Sequence, residues 1–338
     1  MIDFFSDTVT RPTAAMRAAL AEAVVGDEQL DEDPTTLALE QEAARLLGME
    51  TALFLPSATM ANAIAVQLQC RPGDEVLAAE SGHILCYETA TCSVHARAQT
   101  QGIPTPNGIF RGRDVRSRRR PDHYHCPRTR LVVVENTTNQ GGGFPWTRAE
   151  LDDVLAASEG LARHLDGARL LNAATWAGLA PAELCRGFDT VTLCFSKGLG
   201  APMGAVLAMG LSRREEARRC KHIMGGAMRQ SGILAAACRH ALAHHAERLA
   251  EDHLHAARLA AGLSSIEGIE VEPNERRTNM VFFSVQGDPD GFERESLERG
   301  VRFSRMDTNR FRAVTHLDVS SEQVETALDR LAQVMTSC

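Results

Sequence analysis

Val191-Thr192-Leu193-Cys194-Phe195-Ser196-Lys197-Gly198-Leu199-Gly200 drives an apolar run straight into a lysine followed by two glycines. A short apolar run bounded this way reads as a buried strand, and a lysine at its mouth is partly desolvated. Desolvation disfavours the ammonium form and leaves the amine nucleophilic enough to form an imine. Taken alone, a lysine in this setting is more often an ordinary surface residue beside a loop.

A second segment changes that balance. Residues 161–172, LARHLDGARLLN, deliver Asp166 at a Gly-bounded turn, with Arg169 shortly after it. Asp166 and Lys197 are separated by about the length of one strand, helix and strand unit, which puts both at one edge of a parallel sheet. Ligands of open α/β sheets sit at that edge. An imine-forming lysine paired with an aspartate fits pyridoxal 5'-phosphate, whose aldehyde needs an amine and whose pyridine nitrogen needs a carboxylate to hold its proton.

Composition narrows the class. A chain of 338 residues, 44% hydrophobic and 24% charged, has the make-up of a soluble globular protein with one large core and a smaller satellite domain. Its net charge of −8 gives no general attraction to nucleic acid or anionic membrane. The basic run at 116–120 lacks interleaved aromatics and reads as a solvated loop. The nine cysteines are scattered without a C-x-x-C pair, so reduced thiols in the cytoplasm are expected, with neither disulfides nor a metal site. No secretory leader and no bilayer-spanning run is read in the chain.

Helix and strand signals alternate. Asp33-Pro34 ahead of TTLALEQEAARLLG combines a cap, a first-turn proline and a terminating Gly48. Residues 51–56 read as a strand, and SATMANAIAVQL then begins a helix whose free amides at Ala58 and Thr59 can hold a phosphate. Further strands are expected at 75–78, 131–135, 161–165, 190–195 and 205–209, which predicts an α/β fold with a mostly parallel sheet. Residues 232–263 are alanine-rich and read as one long helical connection. The expected division is a cofactor-binding large domain at 1–245, including the N-terminal segment, and a smaller α+β domain at 246–338.

Spanning nearly the whole chain, SDTVTRPT, GDEQLDEDPT, LFLPSATMAN, HLDGARLLNAA, CFSKGLGAPMG, GGAMRQSGILAAA and VTHLD resemble the low-specificity L-threonine aldolases of the β-eliminating lyase group. The resemblance implies the aspartate-aminotransferase type of pyridoxal-phosphate fold, in a homotetramer built from dimers with active sites at the dimer interface. It further implies that Lys197 is the imine lysine, Asp166 the partner of the pyridine nitrogen, and His83 in ESGHILCYE the ring stacked on the cofactor. Ser6, Arg169 and Arg312 match positions that grip a substrate carboxylate, a task suited to a planar guanidinium. His125 matches a second histidine aimed at the substrate hydroxyl and shares the base region with His83, while Tyr87 lines the same pocket. Ala58, Thr59, Ser196 and Arg229 form the implied phosphate set, with Arg169 also beside the cofactor.

The implied reaction is retro-aldol cleavage of L-threonine, L-allo-threonine or a related β-hydroxy-α-amino acid to glycine and an aldehyde. β-Elimination or transamination on the same scaffold is the alternative, and a non-catalytic binder of phosphate ligands a third. The chain departs from the family pattern in having Leu30-Asp31 where Tyr-Gly is expected, Ala58 and Ala61 where glycine is common, Thr138 where histidine is expected, and His222 near a position that is often basic.

Overall fold

The fully apolar strands of the sequence pack at the centre of one large sheet. The computed structural model describes residues 1–337. After β1 (Ile2–Asp3), seven strands form that sheet: β2 (Thr51–Leu55), β3 (Asp74–Ala79), β4 (Gln99–Ile103), β5 (Arg128–Glu135), β6 (Ala162–Gly167), β7 (Thr190–Cys194) and β8 (Ala205–Met209). Their order is β2-β8-β7-β6-β5-β3-β4. β3 to β7 run parallel, and β8 runs antiparallel to both β7 and β2, so β2 points the same way as the parallel set.

Alternate residues of each central strand enter opposite cores. Val132 and Val134 join one apolar cluster, Leu131 and Val133 another, which is why these strands read as unbroken hydrophobic runs. β4 was not expected. Its sequence, QTQGI, is polar because it is an edge strand paired only with β3.

Helix Pro34–Leu47 forms as the sequence predicts, with Asp33 accepting the Thr36 amide at 2.9 Å and Gly48 closing the end in the left-handed conformation. The Asp33 carboxylate also accepts the amides of Gly26 and Gly232, at 3.2 and 2.9 Å, so one buried side chain ties three segments together. The alanine-rich stretch is two helices, Gly232–His244 and Leu249–Leu263, instead of one. No proline or terminating glycine marks the break, where the chain turns and the buried His245 brings Nδ1 within 2.8 Å of the Leu199 carbonyl oxygen.

The C-terminal part holds β9 (Ile269–Val271), β10 (Met280–Val285), β11 (Val301–Arg302), β12 (Ser304–Arg305) and β13 (Arg310–Val314), four of them in an antiparallel sheet of order β12-β13-β10-β9. Phe283, Phe292, Phe303 and Phe311 build its core. β1 pairs with β11, and Ile2 and Phe4 enter this same core, so the N-terminal segment packs with the C-terminal sheet although the expected division groups it with the large domain. Helix Leu249–Leu263 joins the two bodies, with Leu249 in the first core and Ala256, Leu259 and Leu263 in the second.

Replacing Asp33 by alanine removes a cap and leaves buried amides unmet. The expected loss is about 3 kcal/mol in urea unfolding, against about 1 kcal/mol for Thr13→Ala, which removes only the cap on the Met16 amide.

Candidate active site

Because β2, β3, β5, β6 and β7 point the same way, their C-terminal ends gather along one sheet edge. β2 leads into helix Ala58–Gln69. Ser57 Oγ takes the Met60 amide at 3.2 Å, leaving the Ala58 and Thr59 N–H groups without an intrahelical acceptor, the arrangement that binds phosphate. β3 leads to His83, β5 ends on Glu135, β6 carries Asp166, and β7 leads into Ser196 and Lys197.

Asp166 is almost wholly buried. Its oxygens accept the Ala168 amide at 3.1 Å and the Asn62 side-chain amide at 2.9 Å. The same Asn62 Nδ2 donates to Glu88 Oε1 at 2.8 Å, and its Oδ1 faces His164 Nε2 at 3.0 Å. Burial pushes His164 down to about 4, so the ring is neutral and serves as a fixed support. His83 lies with Nδ1 2.9 Å from Glu88 Oε1, and its backbone N–H donates to Glu135 Oε2 at 2.8 Å. Burial works against a charge on His83, but the hydrogen bond to Glu88 and the nearby Asp166 outweigh it and raise the pKa above the ordinary histidine value. Burial, followed by the charge of Asp166, pushes Glu135 up to about 7. One ligand atom each from His83, Glu88 and Asp166 lie within 4.8 Å of one another. Asn62 donates to both carboxylates, so the group is a hydrogen-bonded cluster of alternating donors and acceptors.

A second cluster lies where the N-terminal segment meets both sheets. Arg169 Nε and Nη2 each donate to Asp7 at 2.7 Å, and Asn279 Nδ2 donates to Asp7 at 3.3 Å. Burial opposes the charge of Asp7, but Arg169 outweighs it, with help from Lys197 and Arg312, and holds the carboxyl well below the usual range. The pair with Asp7 takes up Nε and Nη2 of Arg169 and leaves Nη1 outside it. Arg312, on β13, donates to Asn139 Oδ1 at 2.8 Å and weakly to the Phe5 carbonyl at 3.4 Å, while its buried Nε has no partner. Burial and repulsion from Arg169 bring it down to about 10. It is a cation short of an anion, which suits a carboxylate ligand. Ser6, the residue before Asp7, is buried, its Oγ accepting the Thr8 amide at 3.2 Å.

Lys197 is half-buried in a short connection between β7 and β8. Its carbonyl accepts the Gly200 amide at 2.8 Å and the Thr10 hydroxyl at 2.9 Å, and the Phe195 amide donates to Gly204 at 3.0 Å across the base of the connection. Among the described residues its amine has no hydrogen-bond or ion-pair partner. Ser196 Oγ lies 3.5 Å from Cys194 Sγ.

Tyr87 stands exposed at the rim, its ring centroid 5.8 Å from that of His83 and its hydroxyl accepting from Gln140 at 2.7 Å. Arg229 is exposed and donates to Asp27 at 2.9 Å, while Gly226, three residues before it, packs against Met60 in the first turn of the helix that starts at Ala58. One expected site residue is not brought to this edge within its own chain. His125 lies exposed in the loop 119–127, against Tyr124 at a centroid distance of 3.9 Å. That loop precedes β5 and belongs to the opposite sheet edge, roughly 20–25 Å of strand away.

The departures from the family pattern have local explanations. Asp31 keeps the left-handed backbone (φ 56°) that a glycine would adopt and is held by Arg218 at 3.0 Å. Thr138 closes the turn to Phe144, accepting its amide at 3.1 Å. Ala58 and Ala61 have ordinary negative φ, while Leu30 and His222 are exposed. Asp7, Asn62, Glu88 and Glu135 escaped the sequence reading. The only available signal was their place beside Ser6, in LFLPSATMAN, after Tyr87, and at the end of an apolar strand.

Asp7→Asn leaves Arg169 buried without its counter-charge, at an expected cost of about 3–5 kcal/mol near neutral pH. Because the folded pKa of Asp7 lies below the unfolded value, its contribution is complete above about pH 4 and fades as pH falls. The gap between wild-type and Asp7→Asn unfolding midpoints should be wide at pH 7 and narrower near pH 3.

Comparison with known proteins identifies the family of the chain. The chain matches the Beta-eliminating lyase family over residues 3–286. It is 37% identical to low-specificity L-threonine aldolase 1 of Arabidopsis thaliana, across 99% of this chain and 96% of that one. It is 38% identical to the low specificity L-threonine aldolase of Escherichia coli K12, across 96% of each. In fold it is similar to Leishmania major threonine aldolase (TM-score 0.85, 22% identity, 99% of this chain and 100% of that one). The serine palmitoyltransferase of Sphingomonas wittichii shares the fold with a TM-score of 0.78 at 19% identity, covering 99% of this chain and 87% of its own. With a family match over most of its length and relatives well above 30% identity along almost all of both sequences, the chain belongs to the β-eliminating lyase family.

Proposed function

We propose that this chain is a pyridoxal-phosphate-dependent aldolase that cleaves L-threonine, L-allo-threonine or a related β-hydroxy-α-amino acid to glycine and an aldehyde. The observation that carries the reading is the gathering, at the C-terminal ends of the neighbouring parallel strands β6 and β7, of the buried Asp166 carboxylate, His83 and the Lys197 amine, which has no hydrogen-bond or ion-pair partner among the described residues. The donor set fits the cofactor. Lys197 would hold its aldehyde carbon, Asp166 its pyridine nitrogen, His83 its ring face, and the amides of Ala58 and Thr59 with the Ser196 hydroxyl its phosphate. When bound, the cofactor supplies an electron sink for the carbanion left at Cα as the Cα–Cβ bond breaks.

The chain's own residues supply orientation and proton transfer. Arg312, with its unmet Nε, binds the substrate carboxylate, assisted by Ser6 and by Nη1 of Arg169. Fixing that carboxylate fixes which bond at Cα stands perpendicular to the cofactor plane, and therefore which bond breaks. His83 takes up the β-hydroxyl proton, directly or through water. His125 shares this task only from a second copy, because its own chain holds it at the far sheet edge. Its exposed loop, with Tyr124 87% exposed, supports sites completed between copies in a homotetramer. Residence in the cytoplasm belongs to the same proposal; the described cysteines are free thiols, and among the described residues no helix is long and apolar enough to cross a membrane.

Incubating the cofactor-loaded protein with L-threonine, L-allo-threonine and phenylserine, and identifying the products, tests the reading. Glycine and the matching aldehyde are expected, whereas ammonia with a keto acid would mark β-elimination and no aldehyde from any of the three would end the proposal. Lys197→Ala should lose both the visible cofactor absorbance and borohydride trapping. Because His83 must be unprotonated to act, activity should fall on the acid side through a midpoint above the ordinary histidine value. Mixed Lys197→Ala and His125→Ala subunits should regain about a quarter of wild-type activity, from one intact site in half of the dimers.

A further inference from the structure

Only one ring nitrogen of His83 has a hydrogen-bond partner among the described residues. Its Nδ1 is 2.9 Å from Oε1 of Glu88, a side chain with no exposed surface, while its own side chain keeps 28% of its surface open. Nε2 has no partner among the described residues. Glu88 is pinned from two more directions, by Asn62 Nδ2 at 2.8 Å on Oε1 and by the Thr91 hydroxyl at 3.4 Å on Oε2. That Asn62 amide also donates to Asp166 at 2.9 Å, and His164 on its carbonyl oxygen sets its orientation.

The backbone just after Glu88 supplies an independent sign that this carboxylate is held inward at a cost. Thr89 and Ala90 have φ of 52° and 58°, two successive left-handed residues, neither of them glycine. For a β-branched residue this conformation is a real outlier. Such strain persists only where the surroundings over-determine it. Here Thr89 and Ala90 are themselves exposed, while Glu88, immediately before them, is driven into the interior against His83.

We infer that Glu88 is a positioning residue for His83, holding the ring proton on Nδ1 so that a proton-free Nε2 faces the reacting groups, with Asn62 linking this setting to Asp166. The inference rests on the reading of His83 as the residue beside cofactor and substrate. A carboxylate on one imidazole nitrogen fixes the lone pair on the other. The charged and titratable groups around the ring are Glu88, Asp166, Lys197, Tyr87 and Glu135, the last through the His83 backbone amide. The acids favour the protonated ring, while burial and Lys197 oppose it.

The test uses cofactor-loaded protein labelled with 13C and 15N in histidine, the His83 signals being assigned by their loss in His83→Asn. Wild-type His83 is expected as the Nδ1–H tautomer above its titration midpoint. Glu88→Gln keeps an oxygen for Asn62 and for His83 but removes the charge. It should lower that midpoint by about one pH unit and kcat on L-threonine roughly tenfold, leaving cofactor absorbance unchanged and KM within about twofold. An Nε2–H tautomer in the wild type, or an unmoved midpoint in Glu88→Gln, overturns the inference. If Glu88→Gln does not fold, the wild-type tautomer decides by itself. Wild-type protein that cleaves no threonine but shows the Nδ1–H tautomer and the shifted midpoint would remove the aldolase reading and leave the role of Glu88 standing.

Discussion

The buried ion pair between Asp7 and Arg169 is the constraint on which the site depends. Moving either charge out of water alone costs several kcal/mol, and only the paired, hydrogen-bonded geometry offsets it. That geometry needs three pieces of chain at once. Asp7 comes from the N-terminal segment, Arg169 from the turn after β6, and Asn279, which also donates to Asp7, from the start of the C-terminal sheet. The two apolar cores must therefore be docked before the pair can close. Thr10, just beyond Asp7, extends the same tie to the Lys197 carbonyl.

Much of this was legible in the sequence because its largest features are local. Asp33-Pro34 and Gly48 bound a helix at both ends, and short apolar runs bounded by turn residues read as strands covered on both faces. The gathering of Lys197, Asp166 and His83 was legible too, since a parallel sheet brings its connecting loops to one edge. Features decided by distant contacts were not. QTQGI carries no hydrophobic period because an edge strand needs none, and the break near His245 is set by a carbonyl far away in sequence. A polar residue in an apolar helix, such as Asn62, or an acid in a short turn, such as Glu88, looks the same in sequence whether its partner is solvent or another buried group, so neither gave a warning. The place of His125 depended on the course of an exposed loop, and sequence spacing says nothing about that.

The departures from the family pattern alter side chains more than backbone. Asp31 occupies a left-handed position that suits glycine, a conformation aspartate tolerates better than most residues, and Arg218 anchors its carboxylate. Leu30 beside it is 66% exposed and places an apolar side chain where an aromatic hydroxyl is expected. The loop thus keeps its course while the surface it offers changes, so any shift in substrate preference would arise from what the loop presents.

The connection that carries Lys197 has a consequence for how this fold can diversify. It is clamped at its base by the Phe195 and Gly204 backbones, and a β-carbon at Gly204 would lie 2.6 Å from the Cys238 sulfur. An extra residue at that base would break the clamp and push β8 out of register with β2 and β7. Insertions that enlarge or decorate the enzyme fit better in exposed turns that carry no site residue, such as 286–288, where lengthening leaves the amine undisturbed.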